Sequence, residues 1–131
     1  MIITKLDGGM GNQLFQYALG KYLALKLDAT LKLDTGVYTR DNKRQYALQH
    51  FQIEQVFCTG AERENLKRKE FFRRQLNRLG AGIKPYWYTE QHPGHDVAIE
   101  KLTDNVYLEG FWQSEKYFKP IEETIRREFR V

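Results

Sequence analysis

The chain has 131 residues, of which 41% are hydrophobic, and it carries a formal net charge of +4 at neutral pH. This composition supports one domain with a packed core, and the net positive charge favours anionic partners such as nucleotides or acidic lipid headgroups. The single cysteine, Cys58, excludes an internal disulfide, and no apolar run is long enough to span a membrane. We therefore expect a cytoplasmic protein that is either free or in contact with the inner face of the membrane.

A glycine-rich turn lies between the first predicted strand, Ile2 to Thr4, and a mostly apolar predicted helix, Leu14 to Leu27. The turn contains Gly8, Gly9 and Gly11. Glycine permits positive φ and lets another group approach the backbone closely. The helix that follows directs unpaired N–H groups into the turn, so a phosphate or a polarised sugar hydroxyl is the natural occupant. The glycine spacing alone is equally compatible with a tight turn that binds nothing.

Two amide side chains, Asn12 and Gln13, follow this turn and offer donors and acceptors that do not titrate. A helix-capping role would also explain Asn12. It does not explain why Gln13, Gln16 and Tyr17 place further polar groups at the start of an otherwise apolar helix. We therefore predict that Asn12 and Gln13 contact a ligand, together with the glycines of the turn.

The same residues partly match a dinucleotide-binding fingerprint. Gly9 and Gly11 supply its first two glycines, but Leu14 stands where the third is expected. Asp34, after the next predicted strand, is placed to act as the ribose-binding acid. A dinucleotide-binding oxidoreductase domain therefore stays open as an alternative.

A second predicted strand, residues 30–34, follows the helix after only Asp28 and Ala29. A strand–helix–strand unit with such a short connection is typical of a parallel sheet. We therefore predict an α/β fold with a Rossmann-like parallel sheet and flanking helices. Ligands of such sheets lie outside the carboxyl ends of the strands, so the glycine turn and Asp34 should face one crevice. Asp34 can also serve as a carboxylate that caps its own loop.

Residues 37–48 are polar and basic and predict a loop, whereas residues 61–79 predict a charge-rich helix with a rough apolar stripe. A solvated face is the ordinary explanation for such a helix. The alternative is that residues 63–78 contact an anionic membrane or a polyanionic acceptor. Nucleic acid is disfavoured because no recognisable binding module surrounds the basic residues. A non-catalytic module that binds a membrane or a partner is thus a second alternative.

The segment 86–89 predicts a strand whose aromatic residues belong to the core. His92 and His95 flank a Pro-Gly turn, and no third ligand of the right type is spaced nearby, so we predict a surface loop and no metal site.

A last predicted strand, Val106 to Leu108, is followed by Gly110 and Gln113. This second strand end predicts that Gln113 lines the same crevice as the glycine turn. Ser114 is a predicted N-cap, and the apolar spacing after it predicts a helix from Tyr117 that runs to Val131.

The segment from Gly8 to Ala18 resembles the N-terminal signature of the family 11 glycosyltransferases, the α-1,2-fucosyltransferases. Three further segments are similar to later blocks of that family, in the same order: Leu31 to Thr35, Tyr46 to Ile53, and Phe111 to Phe118. The resemblance implies a bacterial-type inverting enzyme that moves L-fucose from GDP-fucose to the 2-hydroxyl of a galactose-terminated acceptor glycan, with no metal or other cofactor. It also implies the glycosyltransferase-B architecture, in which the active site lies between two Rossmann-like domains.

The sequence departs from the family in one respect. Family members are longer and carry a His-x-Arg-Arg-x-Asp motif in the region that holds the GDP-sugar, whereas here Thr124 and Phe129 stand where the histidine and the aspartate would be. We therefore interpret residues 1–131 as a single, incomplete N-terminal domain that lacks the GDP-sugar-binding C-terminal domain. We expect the chain alone to have little or no transferase activity.

Overall fold

The structure, a computed structural model, describes residues 1–40 and 44–131. The strands β1 (Ile2–Lys5), β2 (Leu31–Asp34), β3 (Trp87–Thr89) and β4 (Val106–Glu109) form one sheet in the order β2-β1-β4-β3. All neighbouring strands are parallel, and Ile2 of β1 lies opposite Leu31 on one side and Val106 on the other. The predicted α/β fold with a Rossmann-like parallel sheet is therefore confirmed.

Helices cover both faces of this sheet. They are α1 (Met10–Lys26), α2 (Gly36–Arg40), α3 (Gly60–Asn77) and α4 (Glu122–Glu128), with short 3₁₀ turns at Leu48–His50, Val97–Lys101, Glu115–Tyr117 and Lys119–Ile121. Ile2 packs with Leu19 and Leu23 of α1, whereas its neighbour Ile3 packs with Leu66 of α3. This alternation along the strand is what a parallel sheet with two covered faces requires.

The α1 helix begins at Met10, four residues before the predicted start at Leu14. Gly9 is its N-cap, and no side chain caps it, so the interpretation of Asn12 as a cap was wrong. Close packing of α1 on the sheet depends on Gly20, where an added Cβ would lie 2.8 Å from Cδ1 of Leu31. Gly20 thus fulfils the close-packing role that the dinucleotide fingerprint assigns to its third glycine.

The α3 helix matches its prediction closely, because its start is fixed by a capping box. Thr59 Oγ1 accepts a hydrogen bond from the N–H of Glu62 at 3.1 Å, and Oε1 of Glu62 accepts one from the N–H of Thr59 at 2.9 Å. None of the helices in the described ranges is long and apolar enough to cross a membrane.

Two local predictions need correction. The segment 37–48 was predicted as a loop, but most of α2 lies within it; residues 41–43 of this segment lie outside the described residues. The predicted continuous helix from Tyr117 to Val131 is instead two 3₁₀ turns followed by α4, which ends at Glu128. Pro120 lacks an N–H and its ring crowds the preceding turn, so the helix becomes regular only after it.

Candidate functional site

The loops that follow β1 and β4 lie side by side, because these two strands are neighbours in the sheet. Gln113 donates from Nε2 to Oδ1 of Asn12 at 2.5 Å, across 101 residues of sequence. Asn12 is half-buried and Gln113 is exposed, so both side chains lie at the open carboxyl edge. The two segments that were predicted to share a crevice are therefore in direct contact.

Gln16 fixes the distance between the same two loops. Its side chain is fully buried, its Oε1 accepts a hydrogen bond from the N–H of Asp7 at 2.9 Å, and its Nε2 donates to the carbonyl of Gly110 at 3.0 Å. The sequence marked Gln16 as a polar residue in an apolar helix, but we did not assign it to the site. It is a positioning residue that holds the edge together.

Gln13 has a different role from the predicted one. Its side chain is fully buried, and its amide donates to the carbonyls of Gly8 at 3.1 Å and Gln45 at 2.9 Å. Its Oε1 accepts from the N–H of Ala47 at 2.9 Å. The interpretation of Gln13 as a ligand contact is therefore corrected, because its amide holds the glycine turn against residues 45–47 instead of facing the open edge.

The glycines of the turn differ in whether the structure leaves room for a side chain. Gly8 has φ of +81°, and a Cβ there would collide with Nδ2 of Asn12. At Gly9 an added Cβ would lie 2.7 Å from Nη1 of Arg44, whereas at Gly11 an added Cβ would have no neighbour within 4 Å among residues 1–40 and 44–131. Gly8 is thus needed by the fold because of its positive φ, whereas at Gly9 the end of the Arg44 side chain could move, and the space beside Gly11 is open to a ligand.

Tyr38 supports the glycine turn from α2. Its hydroxyl donates to the carbonyl of Gly8 at 2.8 Å. Burial and the nearby Asp7 carboxylate raise the pKa of Tyr38 to about 12, so this hydroxyl stays protonated at neutral pH. Sequence analysis missed Tyr38 because it assigned the segment to an irregular loop.

The N-terminus of α1 favours an anion at this edge. The N–H of Gln13 donates to the carbonyl of Gly9 at 3.0 Å, which leaves the N–H groups of Met10, Gly11 and Asn12 without partners inside the helix. The first turn holds no acidic side chain, and the guanidinium of Arg44 lies against Gly9. The positive end of the helix dipole and the positive charge of Arg44 both favour an anion at this position.

A recess of about 400 Å³ adjoins the turn between the ends of β1, β3 and β4. It is lined by Lys5, Asp7, Thr89, Glu90, Glu109, Gly110 and Phe111. Burial opposes the ionisation of Glu109, but hydrogen bonds from Trp87 Nε1 at 3.0 Å and Lys5 Nζ at 3.1 Å hold its pKa below the usual range. The recess therefore presents an ionised carboxylate that can accept hydrogen bonds from hydroxyl groups.

Glu90 shapes the loop after β4. Its carboxylate accepts hydrogen bonds from the N–H groups of Phe111 at 3.1 Å and Trp112 at 3.2 Å. Trp112 is fully buried and has φ of +56°, a conformation that costs energy for a bulky residue. The two hydrogen bonds hold this strained loop in the position that brings Gln113 to Asn12.

Asp34 lies at the carboxyl end of β2, and its carboxylate is bound by groups of its own domain. Its carboxylate is buried and accepts hydrogen bonds from the N–H of Gly36 at 3.0 Å and from the hydroxyl of Tyr107, with Arg63 Nη1 at 3.6 Å. Burial and this carboxylate raise the pKa of Tyr107, which stays a donor. The hydrogen bond from Gly36 supports the loop-capping role, and the contact of Asp34 with a ligand stays a prediction. A ribose would have to displace these partners, which weakens the dinucleotide alternative.

Comparison with known protein families gives no match for this sequence, and no solved structure matches it. The chain is similar to an α-1,2-colitosyltransferase of Escherichia coli, with 26% identity over 136 residues. The alignment covers 98% of this chain and 44% of that enzyme, so the chain spans less than half the length of the curated relative it matches. This distant similarity supports a relationship to the glycosyltransferases, which agrees with the Rossmann-like fold.

Proposed function

We propose that this domain forms one wall of the sugar-nucleotide cleft of an inverting α-1,2-fucosyltransferase. The observation that carries the proposal is the contact between Asn12 and Gln113, which places two amides beside the uncapped N-terminus of α1. The donor, GDP-fucose, and the acceptor, the 2-hydroxyl of a galactoside, follow from the resemblance of residues 8–18 to the family 11 signature. The relative's name contains the same α-1,2 linkage.

The proposed contribution to catalysis is electrostatic. Breaking the bond between fucose C1 and the diphosphate develops negative charge on the departing GDP. The free N–H groups at the start of α1 and the Asn12 amide are preorganised donors that stabilise this charge, and Arg44 adds a positive charge nearby. In this proposal N–H donors and cations take the role that a metal has in other enzymes, so transfer needs no metal or other cofactor.

A second domain completes the cleft in this proposal. The matched relative is more than twice as long as the aligned region, and the family resemblance places the arginines that hold the diphosphate in a C-terminal domain. The 131-residue chain alone should therefore transfer little or no fucose from GDP-fucose to a galactoside. Rapid turnover of GDP-fucose by this purified chain would contradict the proposal that its cleft is incomplete.

Colitose is a second candidate donor sugar, because the Escherichia coli relative is named as a colitosyltransferase. Both candidates use the same edge of the domain, so the structure of α1 fits either donor. The two donor sugars can be distinguished with an enzyme that contains both domains, by measuring kcat/KM for GDP-fucose and for nucleotide-activated colitose. A higher kcat/KM for colitose would replace the fucose assignment.

Substitution of Gly11 by alanine tests the position of the cleft. An added Cβ at Gly11 contacts nothing in the described protein, so a loss of GDP-fucose binding reports on ligand space. Gly60 is the matched control, because it also lies in the first turn of a long helix and its added Cβ would meet only Arg63 Nη2, at 3.9 Å. In an enzyme that contains both domains, we expect Gly11→Ala to weaken GDP-fucose binding severalfold and Gly60→Ala to leave it unchanged. Equal affinities, or stronger binding of NAD than of GDP-fucose, would overturn the proposal.

A further inference from the structure

The outward face of α3 carries an exposed apolar stripe. Phe72, Leu76 and Leu79 follow one another at spacings of four and three residues, which places them on one side of the helix and its terminal turn. Their exposed fractions are 56%, 47% and 85%. The inner face that holds α3 to the sheet is narrow, since only Leu66 and Glu70 of this helix are buried.

The charges around this stripe have one sign. The segment 65–79 contains six basic residues, Lys67, Arg68, Lys69, Arg73, Arg74 and Arg78, and one acidic residue. That acidic residue, Glu70, is 5% exposed and is bound by Arg73 at 2.7 Å and Arg74 at 3.1 Å. The exposed apolar side chains are therefore surrounded by cations.

The stripe lies away from the carboxyl edge of the sheet. Near the start of α3, Arg63 approaches Asp34 at the carboxyl end of β2, with 3.6 Å between the charged atoms. At the end of α3, Asn77 Oδ1 accepts a hydrogen bond from the N–H of Ile83, ahead of β3, at 2.9 Å. The helix thus runs antiparallel to the strands, and an occupant of the stripe leaves the Asn12–Gln113 edge open.

We propose that the stripe and its basic flanks dock on an anionic lipid surface. Apolar side chains then enter the boundary between headgroups and acyl chains, while lysine and arginine contact the anionic headgroups. Nucleic acid would engage the cations but leave Phe72, Leu76 and Leu79 in water. A second copy of the chain, related by two-fold symmetry, would bring like charges together. This inference is independent of the proposed transferase function.

Co-sedimentation of the 131-residue chain with vesicles tests the docking surface. The chain should bind vesicles of equal parts phosphatidylcholine and phosphatidylglycerol, and should bind pure phosphatidylcholine only weakly. The double substitution Phe72→Ser/Leu76→Ser should lower the partition coefficient at least about tenfold, because the buried apolar area is lost. Leu25→Ser is the control on α1: Leu25 is 50% exposed, close to the 56% of Phe72 and the 47% of Leu76, and the substitution should leave binding unchanged.

Reversal of the basic charges on α3 is an independent test of the lipid-docking surface. Arg68→Glu/Lys69→Glu should lower binding to the anionic vesicles at least about tenfold, whereas Lys101→Glu, an exposed control outside α3, should have a much smaller effect. Circular dichroism establishes that each variant is folded. Unchanged binding by either double variant, or equal binding to both vesicle types, would overturn the proposal. So would a dimer or an oligonucleotide complex in place of vesicle binding.

Discussion

Gln16 and Gly110 are joined by a hydrogen bond of 3.0 Å from the side-chain amide to the backbone carbonyl, across 94 residues of sequence. The same buried amide accepts a hydrogen bond from the N–H of Asp7. One side chain on α1 therefore sets the spacing between the loop after β1 and the loop after β4. The contact between Asn12 and Gln113 at the open edge depends on this spacing.

Substitution of Gln16 by alanine should destabilise the fold. Both hydrogen bonds are lost and their backbone partners are left without the amide, which costs about 2 kcal/mol. Urea denaturation measures this change. Gln75→Ala is the matched control, because Gln75 is exposed on α3, and its effect should stay within about 0.5 kcal/mol. Equal effects of the two substitutions would show that the bridge contributes nothing.

Alanine at two glycines of the turn should have opposite effects on stability. Gly8→Ala places a Cβ at φ of +81° and against Asn12, so we expect a loss of about 1–3 kcal/mol. Gly11→Ala adds a methyl group in open space within a helix and should stabilise the fold by about 0.5–1 kcal/mol. Thermal denaturation compares the two. A destabilising Gly11→Ala would contradict the geometry described for the turn.

The carboxylate of Glu70 should make stability depend on pH. Burial opposes its ionisation, but hydrogen bonds from Arg73, the N–H of Tyr86 and Arg74 outweigh burial and lower its pKa from 4.5. Because the folded pKa lies below the unfolded one, the stabilisation is fully present above about pH 4.5 and is lost as the pH falls through the folded value.

Glu70→Gln should therefore cost about 2 kcal/mol at neutral pH, and the difference from the wild-type chain should shrink in acid. Urea denaturation at a series of pH values measures this trend. Glu123→Gln, at an exposed position of α4, is the control and should show no such trend. A difference that grows as the pH falls would contradict the direction of the pKa shift.

The substitution Asn12→Ala tests whether Asn12 contacts a ligand or only links the two loops. The substitution removes the partner of Gln113 at the exposed edge, which should cost only about 0.5–1.5 kcal/mol of stability. In an enzyme that contains both domains, kcat should fall about a hundredfold, because a donor to the departing diphosphate is lost. Steady-state kinetics and urea denaturation provide the two values. An unchanged kcat with a clear loss of stability would make Asn12 purely structural.

Local sequence predicted the strands because β-branched and aromatic runs there are short and bounded by turn residues. The approach of the Gln113 loop to the glycine turn also followed, since carboxyl ends of parallel strands share one edge. The strand order could not be predicted, because β4 enters between β1 and β3 through contacts distant in sequence.

The directions of individual side chains were harder to predict. Successive helical residues point about 100° apart, so an error of four residues in the start of α1 obscured which amides face inward. Asn12 faces the edge, while Gln13 and Gln16 are buried. The role of Asp34 depends on Tyr107, which lies 73 residues away. No local pattern indicates that pair.

The central claim is that the N-terminus of α1 and the loop after β4 form one wall of a sugar-nucleotide cleft. Amide-resolved NMR spectra of the 131-residue chain, recorded with increasing GDP-fucose, test it most directly. The account predicts that the largest shifts fall on the amides of residues 9–12 and 110–113, while those of α3 stay in place. Shifts centred on α3, or shifts of equal size over the whole surface with no maximum at residues 9–12 and 110–113, would contradict it.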